Sequence, residues 1–513
     1  MHTKLYSATV IGVNAHKIEI EVDLSFGMLQ FFIVGLPDLA IKESKQRVIT
    51  ALKNCGYSLP ERKITVNLAP AHIKKEGSLF DVAIALGILY AANLCNYDAS
   101  FLQETFFVGE LSLDGRIKPI LGVLAIAFDA HKLGIKRIIV PNENAAEAAL
   151  IDGLEVIAVE HLTDIVKMLR KEAPFARYVR KNIEIHKQKQ PLDLAQVKGQ
   201  MQAKRVLQIA AAGRHNLLFV GSPGSGKTML AQRLITIMPP MSGNEMLETS
   251  KIYSICGKLP AEQLIAERPC RAPHHTISSP GLVGGGSTPQ PGEISLAHNG
   301  ILFLDEFTEF KRTTLEVLRQ PLEERMVTIS RAQQTLSFPS SFLLIAALNP
   351  CPCGYYGDAH KECTCSQKQI QTYMQKLSGP LLDRIDLQVY LPSVKYEETQ
   401  NEQPTTSSAN LFEKVTIARK RQIKRFVSET MYNGYMTPEM IEEHCKVSQE
   451  AETIVKKAFE IMHLSMRGYH KLLKISRTIA DLEDCDEILP KHVQEALMYR
   501  SIDKSLNALQ HRT

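Results

Sequence analysis

The sequence predicts an α/β protein with three parts, of which the last is helical. Strand-like and helical patterns alternate over residues 3–170, which is typical of a mixed sheet with helices packed on it. Between about 193 and 395, the continuous apolar runs LLFVG, GILFLDE and SFLLIAALNP indicate buried strands of a parallel sheet. From about residue 412 onwards, apolar residues recur every three or four positions, and this spacing predicts helices.

Two polar segments separate these parts. Residues 172–192 are polar and basic without periodicity, and residues 396–411 are rich in Gln, Thr, Ser and Glu, so both are predicted to be linkers. The predicted domains are therefore residues 1–171, 193–395 and 412–513.

The composition is that of a soluble globular protein, with 44% hydrophobic and 22% charged residues. No stretch reaches the roughly 18 apolar residues of a membrane span, and the start, MHTKLYSATVIGV, lacks the features of a signal peptide. We therefore expect a cytoplasmic protein with no membrane partner. The net charge of +5 is too small to predict nucleic-acid binding by itself.

A phosphate-binding loop is predicted at residues 221–228, where GSPGSGKT matches the pattern G-x-x-x-x-G-K-[ST] between a predicted strand and a predicted helix. The backbone N–H groups of such a loop and the N-terminus of the next helix bind phosphate oxygens. Lys227 is expected to reach the β- and γ-phosphates of ATP, and Thr228 to offer a hydroxyl to Mg²⁺. The predicted nucleotide-binding residues are Gly221, Ser222, Pro223, Gly224, Ser225, Gly226, Lys227 and Thr228.

Polar residues follow the next two apolar strands. Asp305 and Glu306 end the run GILFLDE, and the carboxyl end of such a strand lies beside the phosphate loop in parallel sheets. We predict that Asp305 holds Mg²⁺ and that Glu306 polarises the attacking water as a general base. Asn349 ends the third strand and is predicted to orient the same water or to sense the γ-phosphate; a turn before Pro350 is the alternative.

Four of the ten cysteines form two C-x-C pairs separated by nine residues. Four thiolates can bind Zn²⁺ tetrahedrally, so the pattern predicts a structural zinc site, with His360 as a substitute ligand. Reduced thiols in a loop are the alternative, because C-x-C is less specific for zinc than C-x₂-C. The predicted ligands are Cys351, Cys353, Cys363 and Cys365.

The order of GSPGSGKT, ILFLDE, AALNP and SGPLLDRIDL resembles the AAA+ ATPases of the magnesium-chelatase-like group. The segments APHHTISSPGLVGGG and NPCPCGYYGD make the resemblance to the ComM/YifB family specific, over about residues 3–508. This resemblance implies an AAA+ core with a five-stranded parallel sheet, a helical lid, and a homo-hexameric ring promoted by ATP or DNA. It also implies that Arg384 enters the neighbouring subunit's site and that Arg467 contacts phosphate in its own; surface ion pairs are the alternative.

The same resemblance implies a motor that grips single-stranded, forked or branched DNA, with helicase and branch-migration activity in natural transformation and with recombination proteins as partners. Two insertions resemble DNA-facing loops: residues 283–293, and a hairpin at 326–338 with Ser330, Arg331 and Gln333 at its tip. A flexible loop and an arginine suit sequence-independent contact with the DNA backbone, although ordinary surface loops are the alternative. A chelatase-type subunit and a protein-remodelling ATPase are the competing functions.

Residues 76–145 resemble the proteolytic domain of Lon-type proteases. The resemblance places the catalytic serine of that family at Leu79 and its lysine at Leu124, while Ser78 lies one residue away. Without the amine base no hydroxyl is activated, so we expect no peptidase activity. The alternative role of this domain is a platform for assembly or DNA handling.

Overall fold

The computed structural model describes residues 2–28, 30–59, 61–95, 98–180, 192–260, 263–286, 289–331, 334–358, 360–392 and 406–500. The chain forms two compact units. The first comprises Met1–Ile185 and Leu247–Ile265, and the second comprises His186–Met246 and Ala266–Thr513. The first unit thus includes a segment from within the predicted central region. No helix in the described parts of the chain combines the length and apolar composition that crossing a bilayer requires.

The first unit is built on a seven-stranded mixed sheet. The strands of this sheet are β1 (His2–Ile11), β2 (Asn14–Phe26), β3 (Gln30–Val34), β4 (Arg62–Ala69), β5 (Thr105–Phe107), β8 (Arg137–Pro141) and β9 (Glu155–Val159). Strands β6 (Glu110–Leu111) and β7 (Ile117–Lys118) form a separate small hairpin. The strand order is β3-β4-β2-β1-β5-β8-β9. Antiparallel pairing joins β1, β2 and β4, and the other neighbours are parallel.

Helices cover this sheet. They are α1 (Leu39–Asn54), α2 (Asp81–Ala91), α3 (Ala99–Gln103), α4 (Val123–Lys132), α5 (Asn142–Ala148) and α6 (Leu162–Leu169). Helix α2 is apolar on all sides and almost entirely buried, as its sequence DVAIALGILYA predicts. Gly87 lets α2 approach the sheet, because a Cβ there would lie 2.6 Å from Cγ2 of Val22.

The second unit contains a five-stranded, entirely parallel sheet, which confirms the predicted fold class. The strands of this sheet are β10 (Leu217–Gly221), β11 (Cys270–Arg271), β14 (Ile301–Leu304), β17 (Leu343–Leu348) and β18 (Leu387–Leu391). Two separate hairpins are formed by β12 (Gly284–Gly285) with β13 (Gln290–Pro291), and by β15 (Met326–Arg331) with β16 (Gln334–Pro339). The sheet order is β11-β14-β17-β10-β18, and its residues form one apolar core with the surrounding helices.

Helix α9 (Gly243–Ile255) begins in the second unit, and its residues from Leu247 onwards belong to the first. The other helices of this region belong to the second unit and are α7 (Met201–Gly213), α8 (Lys227–Arg233), α10 (Ser279–Val283), α11 (Glu293–Leu296), α12 (Arg312–Glu316), α13 (Arg319–Glu324), α14 (Gln367–Met374) and α15 (Gly379–Leu382). The helical C-terminal region follows, as predicted, with α16 (Ser408–Phe426), α17 (Pro438–His444), α18 (Gln449–Met462), α19 (Met466–Leu482) and α20 (Pro490–Met498). The side chains of Ser407, Thr437, Ser448 and Ser465 accept a backbone N–H bond and begin α16 to α19.

The two predicted linkers lie largely outside the described residues. Where residues 172–180 are described, they pack on the first unit, and the ring of Phe175 stacks on that of Phe101 at 5.0 Å. Burial of this aromatic ring stabilises the contact of residues 172–180 with the first unit, although the neighbouring residues are polar. Helix α16 begins at Ser408, four residues before the predicted helical region.

Candidate active site

The predicted catalytic residues meet at one edge of the parallel sheet. Strand β17 lies between β10 and β14, and all three run in the same direction. Their carboxyl ends therefore lead into the phosphate loop, into Asp305 and Glu306, and into Asn349. This edge is where parallel α/β sheets bind ligands.

The phosphate loop has the backbone that its sequence predicts. Gly224 and Gly226 have φ values of +80° and +90°, a conformation that glycine adopts without strain. Lys227 begins helix α8, and its Nζ donates to the carbonyl oxygens of Gly221 (2.7 Å) and Ser222 (2.9 Å). Burial lowers the pKa of Lys227, although the charge of Asp305 acts in the opposite direction.

Two oxygen groups suited to Mg²⁺ lie side by side. The hydroxyl of Thr228 donates to Oδ2 of Asp305 over 2.6 Å. Hydroxyl and carboxylate oxygens are the protein ligands that Mg²⁺ takes, so this pair fits the ion. Asn349 also contacts the lysine, because its Oδ1 accepts a hydrogen bond from Nζ of Lys227 at 3.1 Å. The structure thus places Asn349 in contact with the lysine of the predicted phosphate loop.

Glu306 lies next to a histidine that the sequence reasoning missed. The Oε2 atom of Glu306 is 2.9 Å from Nδ1 of His275, and the glutamate side chain is 57% exposed. His275 lies in the segment APHHT directly after β11, and its ring lies beside that of His274, with centroids 4.1 Å apart and the planes inclined by 33°. Strand β11 has only two residues, so no apolar run marked this loop as part of the site.

Arg384 and Arg467 come together on the same carboxylate. Nη2 of Arg384 lies 2.7 Å from Oε2 of Glu323, and Nη2 of Arg467 is bonded to the other oxygen of Glu323. Both arginines line one cleft of about 540 Å³, together with Lys471 and Lys474. The resemblance assigns the two arginines to the sites of different subunits, whereas the structure places them side by side.

Comparison with known proteins identifies the family of the chain. The family model "Magnesium chelatase, subunit ChlI" matches residues 193–399, "Subunit ChlI of Mg-chelatase" matches residues 20–144, and "Magnesium chelatase, subunit ChlI C-terminal" matches residues 405–500. Competence protein ComM of Haemophilus influenzae is 43% identical over 509 residues, which cover 98% of each chain. YifB of Escherichia coli is 40% identical over 507 residues, covering 99% of this chain and 98% of its own.

The chain belongs to the ComM/YifB family. It is accordingly a magnesium-chelatase-like AAA+ protein related to a competence protein, and its family implies an ATPase that uses ATP and Mg²⁺.

The cysteine cluster of this ComM/YifB chain has the dimensions of a metal site. Sγ of Cys351 lies 3.3 Å from Sγ of Cys353 and 3.6 Å from Sγ of Cys363. All four sulfur atoms, including that of Cys365, lie within 4.8 Å of one another. Zinc–sulfur bonds of about 2.3 Å in a tetrahedron require sulfur separations of about 3.8 Å, so the four thiols fit Zn²⁺. The substitute ligand His360 is not part of the cluster.

The two insertions that resemble DNA-facing loops lie against each other. A Cβ added to Gly284 in the β12–β13 hairpin would lie 3.1 Å from Cδ1 of Ile329 in the β15–β16 hairpin. Ser330 bonds across the second hairpin to Thr335, with the two hydroxyl oxygens 2.9 Å apart. Gln333 and the side chain of Arg331 lie outside the described residues.

In the first unit, the two leucines that the resemblance aligns with the protease serine and lysine pack in an apolar cluster. Leu124 is fully buried, and Leu79 packs on the same apolar cluster. Ser78 donates to Glu110, and Nζ of Lys75 donates to two backbone carbonyls, including that of Gly35 at 3.0 Å. Lon protease 2 of Bacillus subtilis is 32% identical over 134 residues, which are 26% of this chain and 23% of that one.

Proposed function

We propose that this chain is an ATP-driven DNA motor that moves branched or forked DNA and promotes the integration of single strands in recombination. The observation that carries the proposal is the meeting of Lys227, the Thr228–Asp305 pair and Glu306 at one sheet edge in a ComM/YifB chain. The name of the relative, competence protein, supports a role in DNA uptake and recombination. Its compartment in this proposal is the cytoplasm.

The residues have distinct tasks in hydrolysis. Lys227 exchanges its carbonyl partners for the β- and γ-phosphates, and the N–H groups of residues 221–228 hold the remaining oxygens. Thr228 and Asp305 would hold Mg²⁺, whose charge would neutralise that of the phosphates. Glu306 takes a proton from the water that attacks the γ-phosphorus, and the bond to the ADP oxygen breaks. Because Glu306 is half-exposed, water reaches it.

The shared carboxylate of Glu323 supports one task for both arginines. Arg384 and Arg467 can reach the same phosphate together, because their guanidinium groups are already neighbours. We assign both to the γ-phosphate of an adjacent subunit, where they would neutralise the charge of the transferred phosphoryl group. This assignment differs from the expectation that Arg467 serves its own subunit, and it requires a homo-oligomeric ring, for which six subunits are proposed.

DNA contact is proposed at the paired hairpins, with Ser330, Arg331 and Gln333 at the tip of the second. Two hairpins in contact with each other can move as one element when the ATP state changes. A structural Zn²⁺ is proposed at Cys351, Cys353, Cys363 and Cys365, where it would crosslink a segment without helices or strands in its described residues.

The decisive experiment measures ATP turnover of the full chain without DNA and with single-stranded, forked and three-stranded DNA. We expect forked or three-stranded DNA to raise turnover, and Lys227→Ala to abolish it under every condition. Strand displacement is followed in parallel on a labelled fork. Turnover that no DNA changes would contradict the motor and favour a chelatase-type or protein-remodelling ATPase.

A further inference from the structure

The cysteine cluster is held against the phosphate loop. The cysteine knuckle, defined as residues 351–365, contains Gly354, which approaches Pro223 of the loop so closely that a Cβ would lie 2.6 Å from Cδ of the proline. The hydroxyl of Ser222 donates to Oδ2 of Asp358 in the knuckle. Two successive residues of the phosphate loop therefore rest on the knuckle.

Asp358 is itself fixed by the knuckle. Its Oδ1 atom accepts the backbone N–H groups of His360 (2.8 Å) and Lys361 (3.2 Å), while Oδ2 accepts from Ser222. One carboxylate thus joins the turn that precedes the second cysteine pair to the phosphate loop. A change in this turn would move the oxygen that Ser222 contacts.

Two further contacts join the knuckle, or residues next to it, to the phosphate loop and its neighbouring strand. The hydroxyl of Tyr390 on β18 donates to the carbonyl oxygen of Gly357 over 3.2 Å. Strand β18 pairs directly with β10, the strand that ends in the phosphate loop. In addition, Asn349 contacts Lys227 and lies two residues before Cys351. The knuckle is therefore connected to the start of the loop and to its lysine.

The conformation of the knuckle depends on its sulfur atoms. Its described residues form turns and bends but no helix or strand, so few backbone bonds hold it in place. A metal held by four thiolates supplies folding free energy directly to such a segment. Without that crosslink, the contacts of Gly354 and Asp358 with the phosphate loop have no rigid support.

We propose that the cysteine knuckle is a metal-dependent support of the phosphate loop, through which Zn²⁺ bound at the four cysteines sets the affinity of the subunit for nucleotide. This inference rests on the proposed ATP site and goes beyond a structural zinc ion. Asp358 acts as a positioning residue, because it contacts Ser222 and not the reacting atoms. The knuckle connects metal occupancy to nucleotide binding within a single subunit.

The test measures binding of a fluorescent ADP analogue, in excess Mg²⁺, together with zinc content per chain. The full chain is compared as purified, after removal of zinc with a thiol reagent and a zinc-selective chelator, and after zinc is restored. We expect zinc removal to weaken ADP binding by about tenfold, and restoration to reverse the loss, because the loop loses a charge-assisted contact and its support. Equal affinities with and without zinc would contradict the proposal.

Two variants separate the metal from the support. Cys363→Ser is expected to lose both zinc and ADP affinity, whereas Asp358→Ala is expected to keep zinc and still bind ADP about threefold to tenfold more weakly. Cys485→Ser, outside the knuckle, serves as the control and is expected to change neither. Wild-type affinity in Asp358→Ala, with intact thermal unfolding, would overturn the inference. Failure of the wild-type chain to bind any nucleotide would instead contradict the proposed ATP site.

Discussion

Glu306 follows β14 in a left-handed backbone conformation, with φ of +52° and ψ of +46°. A residue other than glycine adopts this conformation at a cost of order 1 kcal/mol, and such strain concentrates at functional sites. In this conformation the backbone leaves the direction of the strand, and the carboxylate of Glu306 lies next to His275. His275 is therefore in a position to fix the orientation of the proposed general base.

Glu306→Gln is expected to bind ATP but to hydrolyse it roughly 100- to 10,000-fold more slowly, because the amide keeps the shape of the side chain and cannot accept the proton. Single-turnover phosphate release checks the rate, and fluorescent ATP analogues check binding. Glu309→Gln, a nearby surface residue, is the control. Turnover close to wild type in Glu306→Gln would remove Glu306 from the mechanism.

The sequence was sufficient for those site residues that belong to local motifs. The phosphate loop, Asp305, Glu306 and Asn349 each follow an apolar strand, and parallel strands bring their carboxyl ends together. His275 and Asp358 reach the site from loops distant in sequence, where no spacing rule marks them. The pairing of Arg384 with Arg467 likewise depends on tertiary packing, which a single sequence does not specify.

At the scale of elements, lid helix α19 is tied to the parallel sheet by a buried ion pair. Nζ of Lys471 on α19 lies 3.2 Å from Oδ1 of Asp386, which directly precedes β18. His215, before β10, approaches the other oxygen at 3.5 Å. Burial acts to raise the pKa of Asp386, but Lys471 and His215 oppose it, and the resulting pKa lies far below the usual range.

Asp386→Asn is expected to lower the thermal unfolding midpoint at pH 7 by roughly 5–10 °C, since Lys471 keeps a buried charge without its partner. The depressed pKa means that the carboxylate contributes stability above about pH 4, and that this contribution is lost as pH falls further. The difference between wild type and variant should therefore shrink below about pH 4. Scanning calorimetry across pH, with exposed Asp383→Asn as control, measures both effects. A constant difference across pH would contradict this account.

The β15–β16 hairpin allows a separate test of DNA contact. Arg331→Ala is expected to weaken binding of single-stranded DNA and to reduce the slope of log affinity against log salt by about 0.7, because one phosphate contact is lost. Fluorescence anisotropy at several salt concentrations measures the slope. Lys311→Ala removes an exposed cation outside both hairpins and is expected to leave the slope unchanged. An unchanged slope in Arg331→Ala would exclude Arg331 from the DNA interface.

Elements with continuous apolar runs were the ones that the sequence predicted well. Strands β10, β14 and β17 are buried along their whole length, so their pattern is unambiguous. Strand β11 has two residues and no pattern of its own. The segment 247–265 was predicted with the central region, and only its tertiary contacts show that it belongs to the first unit.

At the scale of the whole molecule, the shared contact of Arg384 and Arg467 with Glu323 leads to a prediction about mixed oligomers. Arg384→Ala and Arg467→Ala are each expected to lose ATP turnover alone. Mixing either with Lys227→Ala should restore part of it, because an intact phosphate loop then meets an intact arginine pair of a neighbour. Turnover of subunits mixed in graded ratios measures the rescue. If Arg467 served its own subunit, mixtures containing Arg467→Ala would remain inactive.

The leucines at positions 79 and 124 make the first unit difficult to convert into a peptidase. A lysine in place of Leu124 would place an ammonium group in a fully buried apolar cluster, and such burial lowers the amine pKa or destabilises the surrounding fold. Replacing Leu79 with serine and Leu124 with lysine would therefore disrupt the packing of this apolar cluster. The same apolar side chains that stabilise the first unit thus disfavour a serine–lysine pair at these two positions.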